Sequence, residues 1–479
     1  MASLPDRENG RGMNRHEFSS PTVVILPLVA PREDTRSVPE ALELARRGLE
    51  LRGCQVLMPQ EWLYDEAQVV EQFDALECEA DLVVFFLATW FYAPAVVTPL
   101  RRAKKPCVLW SLTTIPGFAL GGAVVAKYTL QEMGLPFKFL AGLPEESEML
   151  DAVASRARAA MIANKLDGAK FGRIGGKSMG MYNATMDEFY WKKAAGFDIV
   201  HIDTYQIARY VERVSESAAL RVLARVKDSV GSIVALNEET GETLCDDDLL
   251  AQCKIYLALR EIVQANDLVA ISNKCQPELS SDLVGMGYTG CVSHALLNDD
   301  CVPCTCEADM PSAVSMYILS QLAQEPVYFG DLNSLAKEKN VARFINCGSG
   351  PFSMAASKDQ VTLWPVSEGM GLPGKARGAC TGFPLRAGRV TLAKIGGGRG
   401  TARMHIATGE CMDWPMEPAG EWPTHFPQAP VRLDGDVTEF VQKAIAQHYI
   451  MAYGDYSREL IDLCEILGIA ADPQRNTGR

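Results

Sequence analysis

Short solid runs of apolar residues alternate with longer stretches where apolar positions recur every three or four residues. Thr22–Ala30 (TVVILPLVA) is β-branched and apolar throughout, the mark of a strand buried on both faces. Pro39 to Gly53 carries helical spacing through Leu42, Leu44, Ala45, Leu49 and Leu51, with Gly53 as its stop. Strands are predicted at Gln55–Met58, Asp81–Leu87 and Lys105–Trp110, with a helix over Glu66–Cys78. Such alternation predicts βαβ units and a parallel sheet covered on both faces. A second alternating set starts near Phe171. It has strands at Arg173-Ile-Gly, Asp198–Ile202 and Asp267–Ser272, and helices over Thr185–Ala195, Leu249–Ala265 and Pro311–Ala323.

From about Asn346 the pattern shortens. Val361–Pro365, Arg389–Ile395 and Ala402–Ala407 are separated by Gly-rich turns such as Gly396-Gly-Gly-Arg-Gly400, which predicts antiparallel β structure. A Pro-rich connection (Pro415, Pro418, Pro423, Pro427, Pro430) leads to a final helical region, Val437–Leu467. The expected fold class is therefore α/β: two tandem doubly wound parallel-sheet domains, then a C-terminal antiparallel, barrel-like domain with terminal helices. The expected limits are a disordered tail at 1–20, domains at 21–165 and 166–345, and the β-rich domain at 346–479.

Composition narrows the function classes. The formal charge of −14, from 46 Lys+Arg against 60 Asp+Glu, argues against a nucleic-acid binder. Leu82–Val97 is the longest apolar stretch, but it is short for a span and contains Pro94, so no membrane segment is expected. The first twenty residues show no apolar core of a signal peptide, and the 14 cysteines follow no disulfide framework; a cytoplasmic protein with reduced thiols is expected. Cys301, Cys304 and Cys306 cluster, yet no second CxxC completes a zinc site. Only six histidines are present, so any imidazole site has few candidates. His16, His201, His294, His405 and His425 each read as ordinary surface or core residues, and His448, in Ala446-Gln-His-Tyr449, looks equally ordinary in isolation.

Chemistry concentrates near residue 300. Cys304-Thr-Cys-Glu-Ala-Asp309 precedes a helix, which puts Glu307 and Asp309 at a strand end, where open α/β sheets bind ligands. Val327-Tyr-Phe-Gly-Asp331 repeats the design 24 residues after Glu307. A strand–helix–strand unit would set both carboxylates at one edge of neighbouring parallel strands, suited to a hard divalent metal or an acid–base pair. Helix capping is the competing reading, and it fits Asp309 better than Glu307. Gly175-Gly-Lys-Ser-Met-Gly180 lacks the spacing of a phosphate loop but has backbone N–H groups and Ser178 for a small polar ligand. Trp90, in Thr89-Trp-Phe-Tyr92, sits in a strand-end loop of the kind that stacks sugar rings.

Taken in order, Gly176-Lys-Ser-Met-Gly-Met181, Lys274-Cys-Gln-Pro-Glu-Leu279, Ala295-Leu-Leu-Asn298, Cys306-Glu-Ala-Asp309, Phe329-Gly-Asp331, Ile345-Asn-Cys-Gly-Ser-Gly350 and Gln447-His448 resemble the L-fucose isomerase and L-arabinose isomerase superfamily, the L-fucose side more closely. The resemblance implies a metal-dependent aldose–ketose isomerase working through an enediol. It implies that Glu307, Asp331 and His448 hold Mn²⁺ (or Mg²⁺ or Co²⁺), that Glu307 and Asp331 also move the proton, and that Trp90, Ser178, Met179, Lys274, Gln276 and Gln447 contact the sugar. Arabinose isomerases have a further metal-binding histidine where this chain has Gly348-Ser-Gly350, so three ligands are expected. The sugar is left open among a pentose, a 6-deoxyhexose and a C6-modified hexose such as sulfoquinovose. A homo-oligomer, a hexamer or other ring, is implied by resemblance alone. A non-catalytic sugar sensor, or an epimerase sharing the metal–enediol chemistry, is the alternative.

Overall fold

The structure, a computed structural model, describes residues 18–30, 33, 35–113, 117–238, 240–366, 374–416 and 426–474. The expected tail up to residue 17, with His16, and also Pro418, Pro423 and His425 lie outside the described residues. The chain divides into two compact units. Of the described residues, one comprises Ser19–Leu166 with Arg458–Gly468, the other Asp167–Ser457 with the stretch that follows from Ile469.

The first unit is a five-stranded parallel sheet, β1 (Thr22–Leu28), β2 (Gln55–Leu57), β3 (Leu82–Leu87), β4 (Cys107–Ser111) and β5 (Lys138–Ala141), in the doubly wound order β2-β1-β3-β4-β5. The helices are α1 (Val38–Glu50), α2 (Glu66–Leu76), α3 (Pro94–Leu100), α4 (Ala119–Glu132) and α5 (Ser147–Leu166). The solid runs of β1, β3 and β4 are apolar because helices cover both faces of the sheet. The Leu82–Val97 stretch resolves into β3, a loop holding Trp90, and the start of α3. Among the described residues no helix is long and apolar enough to cross a membrane.

A C-terminal element completes this unit. On α13 (Ser457–Leu467) the buried Asp462 carboxylate accepts from Ser155 Oγ at 2.9 Å and from Arg156 Nη1 at 3.3 Å, and pairs with Lys138. Arg156 also reaches Glu465 at 2.8 Å, so its buried guanidinium depends on partners some 300 residues away in sequence.

The second unit holds three sheets. A four-stranded parallel sheet has the order β10-β9-β6-β7, from β6 (Lys170–Ile174), β7 (Asp198–Ile202), β9 (Ala270–Asn273) and β10 (Cys304–Cys306). Helices α6 (Glu188–Ala195), α7 (Tyr205–Val211), α8 (Glu216–Ser229), α9 (Asp246–Ala265), α10 (Cys291–Asp299) and α11 (Met310–Ala323) belong with it. Strands β11 (Tyr328–Ala336), β12 (Val341–Ile345), β15 (Gly388–Gly396), β16 (Arg403–Cys411), β17 (Gln428–Leu433) and β18 (His448–Tyr453) pair antiparallel in the order β15-β18-β11-β12-β17-β16. Because β16 returns to pair with β15, the six close into a barrel without free edges, and β19 (Ala470–Pro473) adds in parallel to β16. A small sheet orders β14 (Ala379–Gly382), β13 (Thr362–Pro365) and β8 (Ser232–Ile233); Val361–Pro365 thus joins this sheet rather than the barrel.

Two expectations are corrected. The predicted helical region Val437–Leu467 is α12 (Val437–Lys443), then strand β18, then α13. His448-Tyr-Ile-Met-Ala-Tyr453 is buried at every position, and such a run carries no periodicity to separate strand from helix. Glu307 and Asp331 do not end neighbouring parallel strands either: β10 lies in the parallel sheet and β11 in the barrel wall. Helix α11 between them is apolar on all sides and packs on β6, β9 and β10 as well as on β15 and β18. It therefore carries the chain from one sheet to the other.

Candidate active site

Glu307 follows β10 in a tight turn. Both Glu307 (φ 66°) and Ala308 (φ 54°) adopt the left-handed region, a conformation that costs a non-glycine residue roughly 1–2 kcal/mol and is kept where surrounding structure enforces it. The turn aims the carboxylate at the barrel. Asp331 arrives from the opposite side on β11, directly across the ladder from His448 on β18. Just beyond it Asn333 is an extra residue in the β11–β12 register, a bulge of the kind often found beside active sites.

His448 is fully buried and is the point where these groups meet. Its Nε2 lies 3.0 Å from Asp331 Oδ1 and 3.3 Å from Glu307 Oε2. Its Nδ1 lies 2.6 Å from Asp309 Oδ2, and the Phe329 ring sits at 4.6 Å. Asp309 is the N-cap of α11, accepting from Ser312 N at 2.9 Å, as the capping reading expected. It does more than cap. Both its oxygens also accept from the buried Lys394 Nζ on β15, at 3.0 and 2.8 Å. Burial alone would raise the Asp309 carboxyl, but Lys394 and His448 hold it well below the usual range. An ionised Asp309 can only accept, so Nδ1 carries a proton and Nε2 is the ring atom left facing Glu307 and Asp331.

The charges are then unbalanced. Lys394 neutralises Asp309, which leaves two carboxylates facing the Nε2 of His448. Burial would lower the imidazole, but Asp331, Asp309 and Glu307 together drive it well above its ordinary value. Burial pushes the Glu307 carboxyl up, His448 opposes that, and the charge of Asp331 adds to it. Apart from the His448 contact, Glu307 Oε2 is buried without a hydrogen bond. Among the described residues no group of three or more His, Cys, Asp or Glu side chains is placed so that it could hold a metal ion. In this trio the donors rest on one another, yet two carboxylates and an imidazole are a hard divalent donor set. Neighbouring ligands of a six-coordinate ion at ~2.1 Å would also stand ~3.0 Å apart. By donor chemistry, and in the two distances from Nε2, the trio suits such an ion, although its side chains as placed do not enclose one.

The Gly348-Ser-Gly350 segment leaves no room for a fourth ligand side chain at its glycines. A Cβ at Gly348, whose φ is +108°, would lie 2.3 Å from Cys380 Cβ, and one at Gly350 would lie 2.8 Å from Pro427 Cγ. Ser349 between them hydrogen-bonds Asn346 Oδ1 at 2.9 Å.

Of the residues expected to contact sugar, Gln447 is beside the trio. Its amide is held by Asn183 Nδ2 at 2.9 Å and by Met181 Sδ at 2.7 Å, so the 175–184 loop borders the site. In that loop Ser178 is buried with an unpartnered Oγ, and Met179 is exposed with φ 44°. Lys274 pairs with Glu278 at 2.5 Å just after β9, and Gln276 is buried nearby in sequence. Trp90 belongs to the other unit, where it is partly exposed and its ring edge faces Gly121.

Sequence reasoning missed Lys394, Asn183 and the second role of Asp309. A lysine inside Val390-Thr-Leu-Ala-Lys-Ile395 was a usable signal, since a charge in an apolar run requires a buried partner. Asn183 carried none.

Comparison with known proteins bears on this geometry. Residues 344–473 match the family described as the L-fucose isomerase C-terminal domain. A sulfoquinovose isomerase of Alkalicoccus urumqiensis is 22% identical over 457 residues, covering 94% of this chain and 98% of that protein. One from Priestia aryabhattai is 23% identical, covering 88% and 92%, and one from Clostridium sp. (strain MSTE9) is 25% identical, covering 94% and 98%. A solved periplasmic solute binding protein of an ABC transporter from Actinobacillus succinogenes 130z, with bound D-allose, aligns at a TM-score of 0.18 and 10% identity, covering 64% of this chain and 93% of that one. A likeness that weak carries no argument. The motif resemblance is borne out by the domain match and the full-length relatives: the chain carries an L-fucose isomerase C-terminal domain over residues 344–473 and is an isomerase.

Proposed function

We propose that this protein is a divalent-metal-dependent aldose–ketose isomerase acting on sulfoquinovose, a 6-deoxyhexose bearing a sulfonate at C6. The relatives support the substrate. The observation that carries the chemistry is the meeting of Glu307 and Asp331 on the Nε2 of a histidine whose tautomer Asp309 sets. Glu307, Asp331 and His448 would hold the ion, of the Mn²⁺, Mg²⁺ or Co²⁺ type. When bound, it supplies positive charge for the sugar oxygens at C1 and C2.

The chain's own groups divide the remaining work. One carboxylate of the Glu307–Asp331 pair takes the proton from C2 as a proton is delivered to O1, which gives the enediol. Loss of the O2 proton and return of a proton to C1 gives the ketose. Glu307 suits this exchange because burial brings its carboxyl nearer the working pH. Gln447, clamped by Asn183 and Met181, offers its amide to a sugar hydroxyl. The same reading takes the enzyme to be a cytosolic homo-oligomer in which Trp90 serves a neighbouring subunit's site.

The test is turnover of metal-reconstituted protein on a panel of aldoses including sulfoquinovose, with ketose formation followed in D₂O. Ketose labelled at C1, lost on EDTA treatment and restored by Mn²⁺, is expected. Glu307→Gln is expected to lower turnover by about 10³-fold or more while the thermal melt is kept. Sugar binding that survives chelation without product would overturn the proposal in favour of a binding protein, and a C2-epimeric aldose would make it an epimerase.

A further inference from the structure

We infer that Arg173 is the residue that recognises the anionic end of the substrate, forming a sulfonate site with Ser178 and Thr204 at the C-terminal edge of the parallel sheet. The inference rests on the isomerase reading and names the part of the site that reads charge.

The register places this edge relative to the carboxylates. Cys306, Asn273, Ile174 and Ile202 form one row across β10, β9, β6 and β7. The residues that follow them, Glu307, Lys274, Gly175 and Asp203, therefore leave the sheet along one rim. Glu307 and Gly175 are two strands apart, about 10 Å at ~4.8 Å per strand, which is the reach of a six-carbon chain with a charged group at its end.

Arg173 stands on the face of β6 that also carries Phe171, since alternate residues share a face. Phe171 packs edge-on against Tyr317 of α11 at 5.6 Å. Two residues further along, about 6.6 Å at strand rise, lies the direction of the α11 N-terminus and therefore of Glu307. The guanidinium is partly buried, its Nε is shielded without a partner, and among the described residues its side chain has no hydrogen bond or ion pair. The shielded Nε lacks a partner that an anion bound at the guanidinium would supply.

The loops that leave this rim after β6 and β7 repeat the vacancy in hydrogen bonding. Ser178 Oγ and Thr204 Oγ1 are both buried and unpartnered. A Cβ on Gly175 (φ +84°) would lie 2.9 Å from both Thr204 Oγ1 and Lys274 Cβ, so a bare backbone is needed where these side chains close in. Lys274 is already neutralised by Glu278 and Lys177 is exposed over the Tyr182 ring, so among the described residues Arg173 is the half-buried cation of this rim without an ion pair. A fork of N–H donors with two hydroxyls matches three sulfonate oxygens, whereas a neutral C6 would leave all three groups unsatisfied.

The experiment compares kcat/KM for sulfoquinovose and for glucose on the metal-loaded full chain, in wild type, Arg173→Met and Arg173→Lys. The ratio of the two values is expected to fall about 30- to 100-fold in Arg173→Met, through KM rather than kcat, with partial recovery in Arg173→Lys. Glucose 6-phosphate as a third sugar separates a sulfonate site from a general oxyanion site; a preference for the phosphate over the sulfonate would overturn the assignment. An unchanged ratio in Arg173→Met would overturn it as well. Should glucose turn over too slowly, competitive inhibition by ethanesulfonate, weakened in Arg173→Met, reads the same site; equal inhibition would refute it. If wild type isomerises no aldose at all, it is the isomerase reading that fails.

Discussion

Asp309 serves three partners with two oxygens: it caps α11, neutralises Lys394 and fixes the Nδ1 of His448. Its substitution is therefore predicted to have two separable effects. Asp309→Asn leaves the Lys394 ammonium buried beside a neutral amide, and loss of one partner of a buried pair costs about 3–5 kcal/mol. It also frees the imidazole, and loss of such a supporting carboxylate costs about 10–100-fold in metal affinity or activity. In the double variant Asp309→Asn/Lys394→Met the stranded charge is gone, so the urea midpoint is expected to recover by at least half while turnover stays low. Recovery of both would show that Asp309 serves stability alone.

The elements were legible where their apolar pattern had one interpretation. The solid runs of β1, β3 and β4 and the spaced positions of α1 predicted themselves, whereas the 24-residue interval from Glu307 to Asp331 pointed to a pair of parallel strands that the fold does not have. Legibility failed where packing was two-sided. Helix α11 is buried all round because it lies between a sheet and a barrel, so nothing in its pattern tells which sheet follows it. Strand β18 failed for the same reason, and with it the placing of His448 opposite Asp331. Two buried histidines at this scale make stability depend on pH. His294 on α10 meets Asn273 of β9 at 3.0 Å, and His405 of β16 meets Tyr449 of β18 at 2.5 Å. Burial lowers each to about 4. The unfolded chain binds these protons near pH 6.5 and the folded chain does not, so stability is full above about 6.5 and falls as the pH drops towards 4. Each contributes up to about 3 kcal/mol. Urea melts at pH 7, 5.5 and 4.5 measure this, and His405→Phe is expected to flatten the slope; a parallel profile would refute it.

On the scale of the whole molecule, the covalent order of the chain and the order of its folded parts disagree. Residues 458–468 belong with the unit built from residues 19–166. A chain ending at Ser457 would lose Asp462 and Glu465 and leave Arg156 buried without either carboxylate. That truncation is predicted to destabilise the first unit by about 3–5 kcal/mol or more, read as early proteolysis within 19–166; protection equal to that of the full chain would refute it. Asp462→Asn is the milder form of the same test.

The return of α13 also sets a timetable for synthesis. Once Leu166 has left the ribosome, nearly 300 further residues must follow before Asp462 emerges, roughly 15–60 s at ~5–20 residues per second. Throughout that interval the first-made domain waits with its central arginine unanswered, so the oldest part of each nascent chain is among the last to be finished.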